Sequence, residues 1–515
     1  MRATTALGTL AIAMAAAHMG SARASVMDAV VPDDFPTVQE ALDALDKTGG
    51  VFEPHLHIRP GVYDGPVMAT GFTKLRITAD AGATIVASGS EPALTVCGSG
   101  LVILDGLAIE SQSVGLFVNG VGRVAATDLV IDAGSHGVLA ESSMSFAEIK
   151  AMFSLSHVEA LVGVTATDFQ LTGGTVTSRH DDAIRIGQGE SAGIGGVTLI
   201  APEGDGIHAE DPAGVVGAVA VAITVGGVTI DGAGDDGIDV AGRPLQMNPG
   251  TTITRPADDG VTIGPGASGW VLGVTIRDCG DIGIESHDGG RFDTISGCTI
   301  SGTGGDGIHA EAGRIGSCTV TDTGGNGIVA ATDRMQVIGN DVTSTAQDGL
   351  RVTGGDVYVY TNTVTLAGDA GIRVEGEGAY VNDNVVESAT GDGIALGSGW
   401  GEVTGDTVTN SGGDGICVLG APARTGAELS KNVVEGSAGD GIDLGAATGV
   451  RVAANTVTEC GDCGFRLGDG AKKNRLTGNR ADHSGSYDLY ESDASHKNRI
   501  ARNNRFRTRR HRGAN

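Results

Sequence analysis

The sequence predicts an all-β protein, a right-handed parallel β-helix solenoid with coils of about 22 residues. Three observations carry that prediction. A turn-strand phrase, Gly-Asp-Gly-Ile in its commonest form, recurs with its apolar member at Ile184, Ile207, Ile238, Val261, Ile284, Ile308, Ile328, Leu350, Ile372, Ile394, Ile416, Ile442 and Phe465, mostly at intervals of 20 to 24 residues. Ten residues before that position runs a second column, Cys298, Cys318, Asn340, Asn362, Asn384, Asp406, Asn432 and Asn455. Its offset holds when coil length changes, so insertions fall after the motif strand. The third observation is composition: 86 glycines and only 18 aromatic residues, with abundant Val, Ile and Thr, suit short strands joined by tight turns. Each such unit cannot bury its apolar face without neighbours, so the units must stack.

The expected order along the chain starts with a secretory signal over residues 1–24: Arg2, an apolar run from Ala6 to Ala17, and the small-residue site Ala22-Arg23-Ala24. No later run is long enough to span a bilayer, so a secreted or periplasmic protein is expected. Residues 25–72 form a cap, in which Thr37-Val38-Gln39-Glu40 fits a capping box and Val38, Ala41, Leu42 and Leu45 follow helical spacing. The repeats occupy 73–498, with weaker copies of the phrase at Leu116 and Val138 and post-strand insertions after Ile207 and around Ala421-Pro422. An arginine-rich tail, 499–515, is expected to fray.

The entry segment, Asp34 to Leu42 followed by Ile58-Arg59-Pro60-Gly61-Val62-Tyr63, resembles that of pectin-lyase-like proteins. The resemblance implies a helix that covers the open end of the solenoid. It implies a fold more than an activity, because that scaffold carries lyases, hydrolases, epimerases, esterases and adhesive proteins.

Stacking fixes what the polar columns can do. Asparagines one coil apart can hydrogen-bond along the solenoid and satisfy turn backbone, which is a structural task. The motif's Asp row (Asp182, Asp205, Asp236, Asp259, Asp306, Asp348, Asp392, Asp414 and Asp440) would crowd carboxylates at a spacing of ~4.8 Å unless each bonds a turn amide or cations intervene. Local Asx-type bonding is the favoured reading and calcium the alternative. The seven cysteines are an odd number, and Cys460-x-x-Cys463 reads first as a local disulfide or buried thiols.

Alternation along the motif strand sends the residue after the apolar one outward. That column contains His208, Asp239, Glu285, His309, Arg351 and Arg373, and a second outward position adds His287 and Glu311. Gly283-Ile284-Glu285-Ser286-His287-Asp288 resembles the Gly-Phe-Asp-Pro-His-Asp/Glu segment of alginate (mannuronan) C5-epimerases, with Glu285 for Asp and Ser286 for Pro, and Ile282 where that family often has Tyr. The resemblance implies abstraction of the proton α to a uronate carboxylate. His287 would be the base, Glu285 or His309 would complete proton transfer, and Arg314 or Arg351 would neutralise the carboxylate. His208, Asp239, Glu311, Arg351 and Arg373 would bind an acidic polysaccharide. The uniform coils also resemble the repeats of NosD-like periplasmic proteins, which implies a non-catalytic alternative. A net charge of −29 disfavours nucleic acid and anionic membranes, and it also requires a local source of cations if the polymer is acidic.

Overall fold

In the computed structural model the described residues are 27–47, 53–141, 168–187, 191–201, 203–210, 222–397, 399–419, 427–502, 504–506 and 510–512. The signal segment, the insertion after Ile207 and the Ala421-Pro422 loop lie outside them. The fold is the expected right-handed parallel solenoid. Each coil contributes up to three strands, and each strand bonds in parallel register to its counterpart one coil away. In one coil these are Arg291–Ser296, Thr299–Thr303 and Ile308–Ala310, and in the next Ala312–Gly316, Thr319–Thr323 and Ile328–Ala330. We name the three stacks the first, second and motif ladders.

The motif ladder shows why the phrase recurs. Its apolar residues, from Val138 to Leu489, are fully buried, which makes each coil's core a continuation of the last. The second glycine of the phrase is required for space. A Cβ on Gly283 would stand 2.5 Å from the Gly307 carbonyl oxygen and 2.6 Å from Ile300 Cγ2, so no other residue fits between stacked turns.

The bend between the first and second ladders carries the asparagine column. Asn362 donates through Nδ2 to Asn384 Oδ1 (3.0 Å) and to the Val337 carbonyl (2.9 Å), while its own Oδ1 accepts the Asn340 amide (3.0 Å). The pattern repeats through Asn384, Asn432 and Asn455 and runs two coils further, to Asn479 and Asn504. Preceding residues such as Thr361 and Asp383 take positive φ (53° and 56°) to make the bend. A second, shorter pair, Asn474 and Asn498, does the same work before the first ladder, where the Val450 amide donates to Asn474 and the Asn474 amide to Asn498.

The Asp row corrects the expectation of local Asx turns. Each carboxylate accepts the turn amide of the next coil instead: Asp205 N to Asp182 Oδ1 (3.0 Å), Asp236 N to Asp205 Oδ1 (2.9 Å), Asp259 N to Asp236 Oδ1 (2.9 Å), and likewise from Asp392 through Asp414 and Asp440 to Cys463. The row is thus a second inter-coil ladder. Where the residue is not Asp, the bond survives: Asn326 accepts from the Asp348 amide.

The helix Val38–Ala44 forms as expected, with Thr37 Oγ1 accepting from the Glu40 amide at 3.1 Å. Its buried residues join the common core, and Gln39 clamps Met68 through both its amide atoms. Strand pairing begins before residue 73, since Asp28–Val31 pairs with His55–Ile58. It also continues past 498. Arg499, Arg505 and Arg510–Arg512 pair with Arg475, Arg480 and Leu489–Glu491, and Phe506 lies edge-on to Phe465, so the described residues of this stretch that pair continue the stacking. All seven cysteines are buried and unbridged, and burial pushes the Cys460 and Cys463 thiols up to about 12, far from a reactive thiolate.

Candidate functional site

The outward columns of the motif ladder assemble in the expected register. His208 pairs with Asp239, Asp239 with Thr262, Thr262 with Glu285, Glu285 with His309, His309 with Val329, Val329 with Arg351, and Arg351 with Arg373. His287 and Glu311 follow two residues after Glu285 and His309, both exposed. Eight of the nine sequence-derived candidates therefore share this face or its C-terminal continuation: His208, Asp239, Glu285, His287, His309, Glu311 and, beyond Val329, Arg351 and Arg373.

Arg314 does not belong there. It lies on the first ladder, in register with Thr294 and Gln336, because the chain leaves the motif strand at Ala310 and turns onto another sheet before residue 314. Its ladder is a different sheet from the one that carries Glu285 and His309.

The structure also shows what the motif's Asp does with its second oxygen. It pairs with the outward residue three positions on: Asp182 with Arg185 (3.2 Å), Asp205 with His208 Nδ1 (3.0 Å), Asp259 with Thr262 (3.2 Å), Asp306 with His309 Nδ1 (3.2 Å). Three candidates are engaged by the protein's own carboxylates. His208, 18% exposed, is held between Asp205 and Asp239 (3.2 Å). Burial opposes its charge, but the two carboxylates outweigh it and push the imidazole up to about 10, which excludes it as a base at neutral pH. Arg373 bonds Asp348 (2.7 Å) and Asp369 (2.6 Å), and Arg351 bonds Glu375 (3.2 Å).

What remains open is the patch around Glu285. The bond from Asp306 raises His309 above the usual imidazole range, against burial and with help from Glu285 nearby. That shift favours the protonated ring beside the Glu285 side chain. Among the described residues the only ion-pair partner of His287 is Asp288, at 3.4 Å, and a Cβ on Gly264 would stand 3.4 Å from its ring, so the exposed imidazole packs over that glycine. Ser286 is buried, and its hydroxyl accepts the Glu311 amide (2.6 Å), fixing the turn that carries Glu311. Two imidazoles, of which His309 is favoured in its protonated form, and two carboxylates thus stand on adjacent coils, group types that can move a proton at an acidic carbon.

Sequence reasoning missed a second cluster nearer the N-terminus. His136 occupies the Asp position of the weak copy at Val138, a signal readable from its spacing, and sits 3.3 Å from Asp181 with burial lowering its pKa. His136, Asp181 and Asp182 lie close enough together to share a cation, as do Asp182, Asp205 and His208, and Asp235, Asp236 and Asp258. Arg243, fully buried, donates to the Gly187 and Glu210 carbonyls at the same end of the ladder. Burial pushes Asp236 up to about 8 and Asp259 up to about 7, with neighbouring row carboxylates and Glu285 adding to it.

No curated sequence matches the chain. Among solved structures it is similar to a mutant of the periplasmic alginate epimerase AlgG, at 12% identity over 84% of this chain and 83% of that one, with a TM-score of 0.33. It is similar to the A-module of the mannuronan C-5 epimerase AlgE6 of Azotobacter vinelandii, at 15% identity over 94% and 97%, with a TM-score of 0.31. A third similarity is to the Dettilon tailspike protein, at 14% identity over 65% and 62%, with a TM-score of 0.26. The model of the right-handed β-helix region matches residues 205–364 and 370–514, more than half of the chain, and the protein belongs to that family.

Proposed function

We propose that this protein is exported and acts on an acidic, uronic-acid polysaccharide by abstracting the C5 proton, with the motif-ladder face around Glu285, His287, His309 and Glu311 as its active site. The observation that carries the reading is that the one segment resembling the C5-epimerase motif, Gly283 to Asp288, puts an exposed histidine, paired among the described residues only with its sequence neighbour Asp288, one coil from His309, whose pairing with Asp306 favours the protonated ring. His287 takes the proton from C5. The imidazolium of His309, sustained by Asp306, faces the uronate carboxylate and offsets the negative charge that builds as the enediolate forms. Return of a proton to the opposite face gives the epimer. Departure of the C4 oxygen, with a proton passed to it from Glu285 or His309, gives an unsaturated product instead. The role given to Arg314 by sequence passes to His309.

A non-catalytic binding rod is the second reading, and one observation favours it: His208, Arg351 and Arg373 are all engaged by the protein's own carboxylates. Incubation of the purified protein with alginate, pectate and other polyuronates separates the two readings. Ultraviolet absorbance reports unsaturated ends and proton NMR reports epimerisation. Either signal supports the catalytic reading, and silence on every polymer with retained binding supports the rod.

A further inference from the structure

Charge is not spread evenly along this solenoid. Residues 472–512 hold twelve of the chain's 34 lysines and arginines but only four of its 63 acids. The remainder is correspondingly more acidic than the total implies.

The fold arranges part of this excess into a surface. On the first ladder Arg475 is in register with Arg499, and the same pairing sets Lys473 beside Lys497 and Lys472 beside His496. All six are exposed. Partners in adjacent coils of a parallel sheet lie ~4.8 Å apart, a spacing at which like charges repel. Elsewhere the solenoid relieves such repulsion internally. Arg451, one coil earlier in the same column as Arg475, bonds Glu428 at 2.8 Å, Arg255 bonds Asp231 at 2.7 Å, and Arg123 faces Asp168 at 3.5 Å. Lys473, Arg475, Lys497 and Arg499 have no carboxylate within ion-pair distance among the described residues. Across the bend Arg505, in register with Arg480, extends the same sign of charge.

We propose that this face of the last coils is a binding site for a linear polyanion of the carboxylate-bearing polysaccharide class, separate from the motif-ladder face. The proposal extends the functional reading above by naming where a long polymer is held, and it answers a difficulty of that reading. The rest of the body is strongly acidic, so the patch supplies a local positive field for the capture of such a chain. Carboxylates along the polymer meet two rows of cations, and counter-ions leave both partners. Affinity then falls steeply with added salt.

The test is calorimetric titration of the full-length mature protein with long-chain polygalacturonate, with neutral dextran and inorganic polyphosphate as comparison polymers. The wild type should bind polygalacturonate with a strong salt dependence and ignore dextran. The variant Lys473→Ser/Arg475→Ser/Lys497→Ser/Arg499→Ser, whose substituted side chains are all on the surface, should bind at least tenfold more weakly. A control that removes cations already paired, Arg59→Ser/Arg255→Ser, should bind as the wild type does. Equal binding by the quadruple variant, or binding of polyphosphate without polygalacturonate, would overturn the proposal. Turnover is a separate readout: binding lost in the quadruple variant without turnover in the wild type sustains this site and removes the catalytic one.

Discussion

Glu285 and His309 stand side by side as register partners in adjacent coils, while His309 Nδ1 is held 3.2 Å from Asp306 Oδ2 on its other side. One imidazole thereby links the structural Asp row to the open face of the motif ladder. The same bond that quiets a crowded carboxylate favours the protonated imidazole beside Glu285.

This linkage predicts a pH effect. His309 is raised by Asp306, so the cation is present below its folded pKa and lost as pH rises through it. Replacing Asp306 with Asn should move the alkaline limb of the rate profile to lower pH and leave the acid limb in place. A profile unchanged in Asp306→Asn would show that His309 carries no charge that matters to the reaction.

His208 should matter to stability. Its imidazolium joins Asp205 and Asp239, and truncation to Ala leaves two partly buried carboxylates facing each other, a loss of roughly 2–3 kcal/mol by urea unfolding near pH 6. The imidazole is raised above its unfolded value to about 10, so the contribution is complete below the unfolded pKa. The difference from wild type should shrink as pH climbs toward that figure.

Asp406 makes the opposite prediction. It replaces asparagine in the bend ladder, accepts from the Asn384 amide and side chain through Oδ1, and leaves Oδ2 buried without a partner. Burial pushes its carboxyl up to about 7, so the folded protein prefers the neutral acid. Stability should fall as pH rises from about 4, where the unfolded group ionises, to about 7. Asp406→Asn should remove this group's share of that slope, leaving the share of Asp236 and Asp259, and stabilise the protein above neutrality by on the order of 4 kcal/mol. A slope as steep in the variant as in the wild type would place its origin wholly in those other groups.

Calcium should not be needed to hold the Asp row together. The Oδ1 atoms already accept inter-coil amides and several Oδ2 atoms face Arg, His or Thr, so chelation should leave the thermal midpoint where it was. A clear drop on chelation, restored by calcium, would assign cations to the groups around Asp182 and Asp236.

Much of this was legible from spacing alone. A period near 22 residues and a column of asparagines at fixed offset define the coil, its inside and its outside, because alternation leaves no freedom once the apolar residue is placed. The register of Glu285 with His309 and of Arg351 with Arg373 followed from that. Two things were not legible. Arg314 required knowing where the chain turns between ladders, and a short turn after Ala310 carries it to another sheet. The engagement of His208 by Asp205 and Asp239 required the second carboxylate oxygen, whose direction no spacing reveals. The stacking of the last coils was hidden because their strands shorten to two or three residues and their composition turns basic, which masks the periodic apolar signal.

The most direct measurement is turnover on a polyuronate that the wild type processes, compared between His287→Ala and Arg314→Ala. The account predicts that loss of the base on the motif ladder lowers kcat by at least about a hundredfold, whereas loss of the arginine on the first ladder leaves kcat as it was. Retained turnover in His287→Ala, with or without an effect at Arg314, would contradict the assignment of the active face.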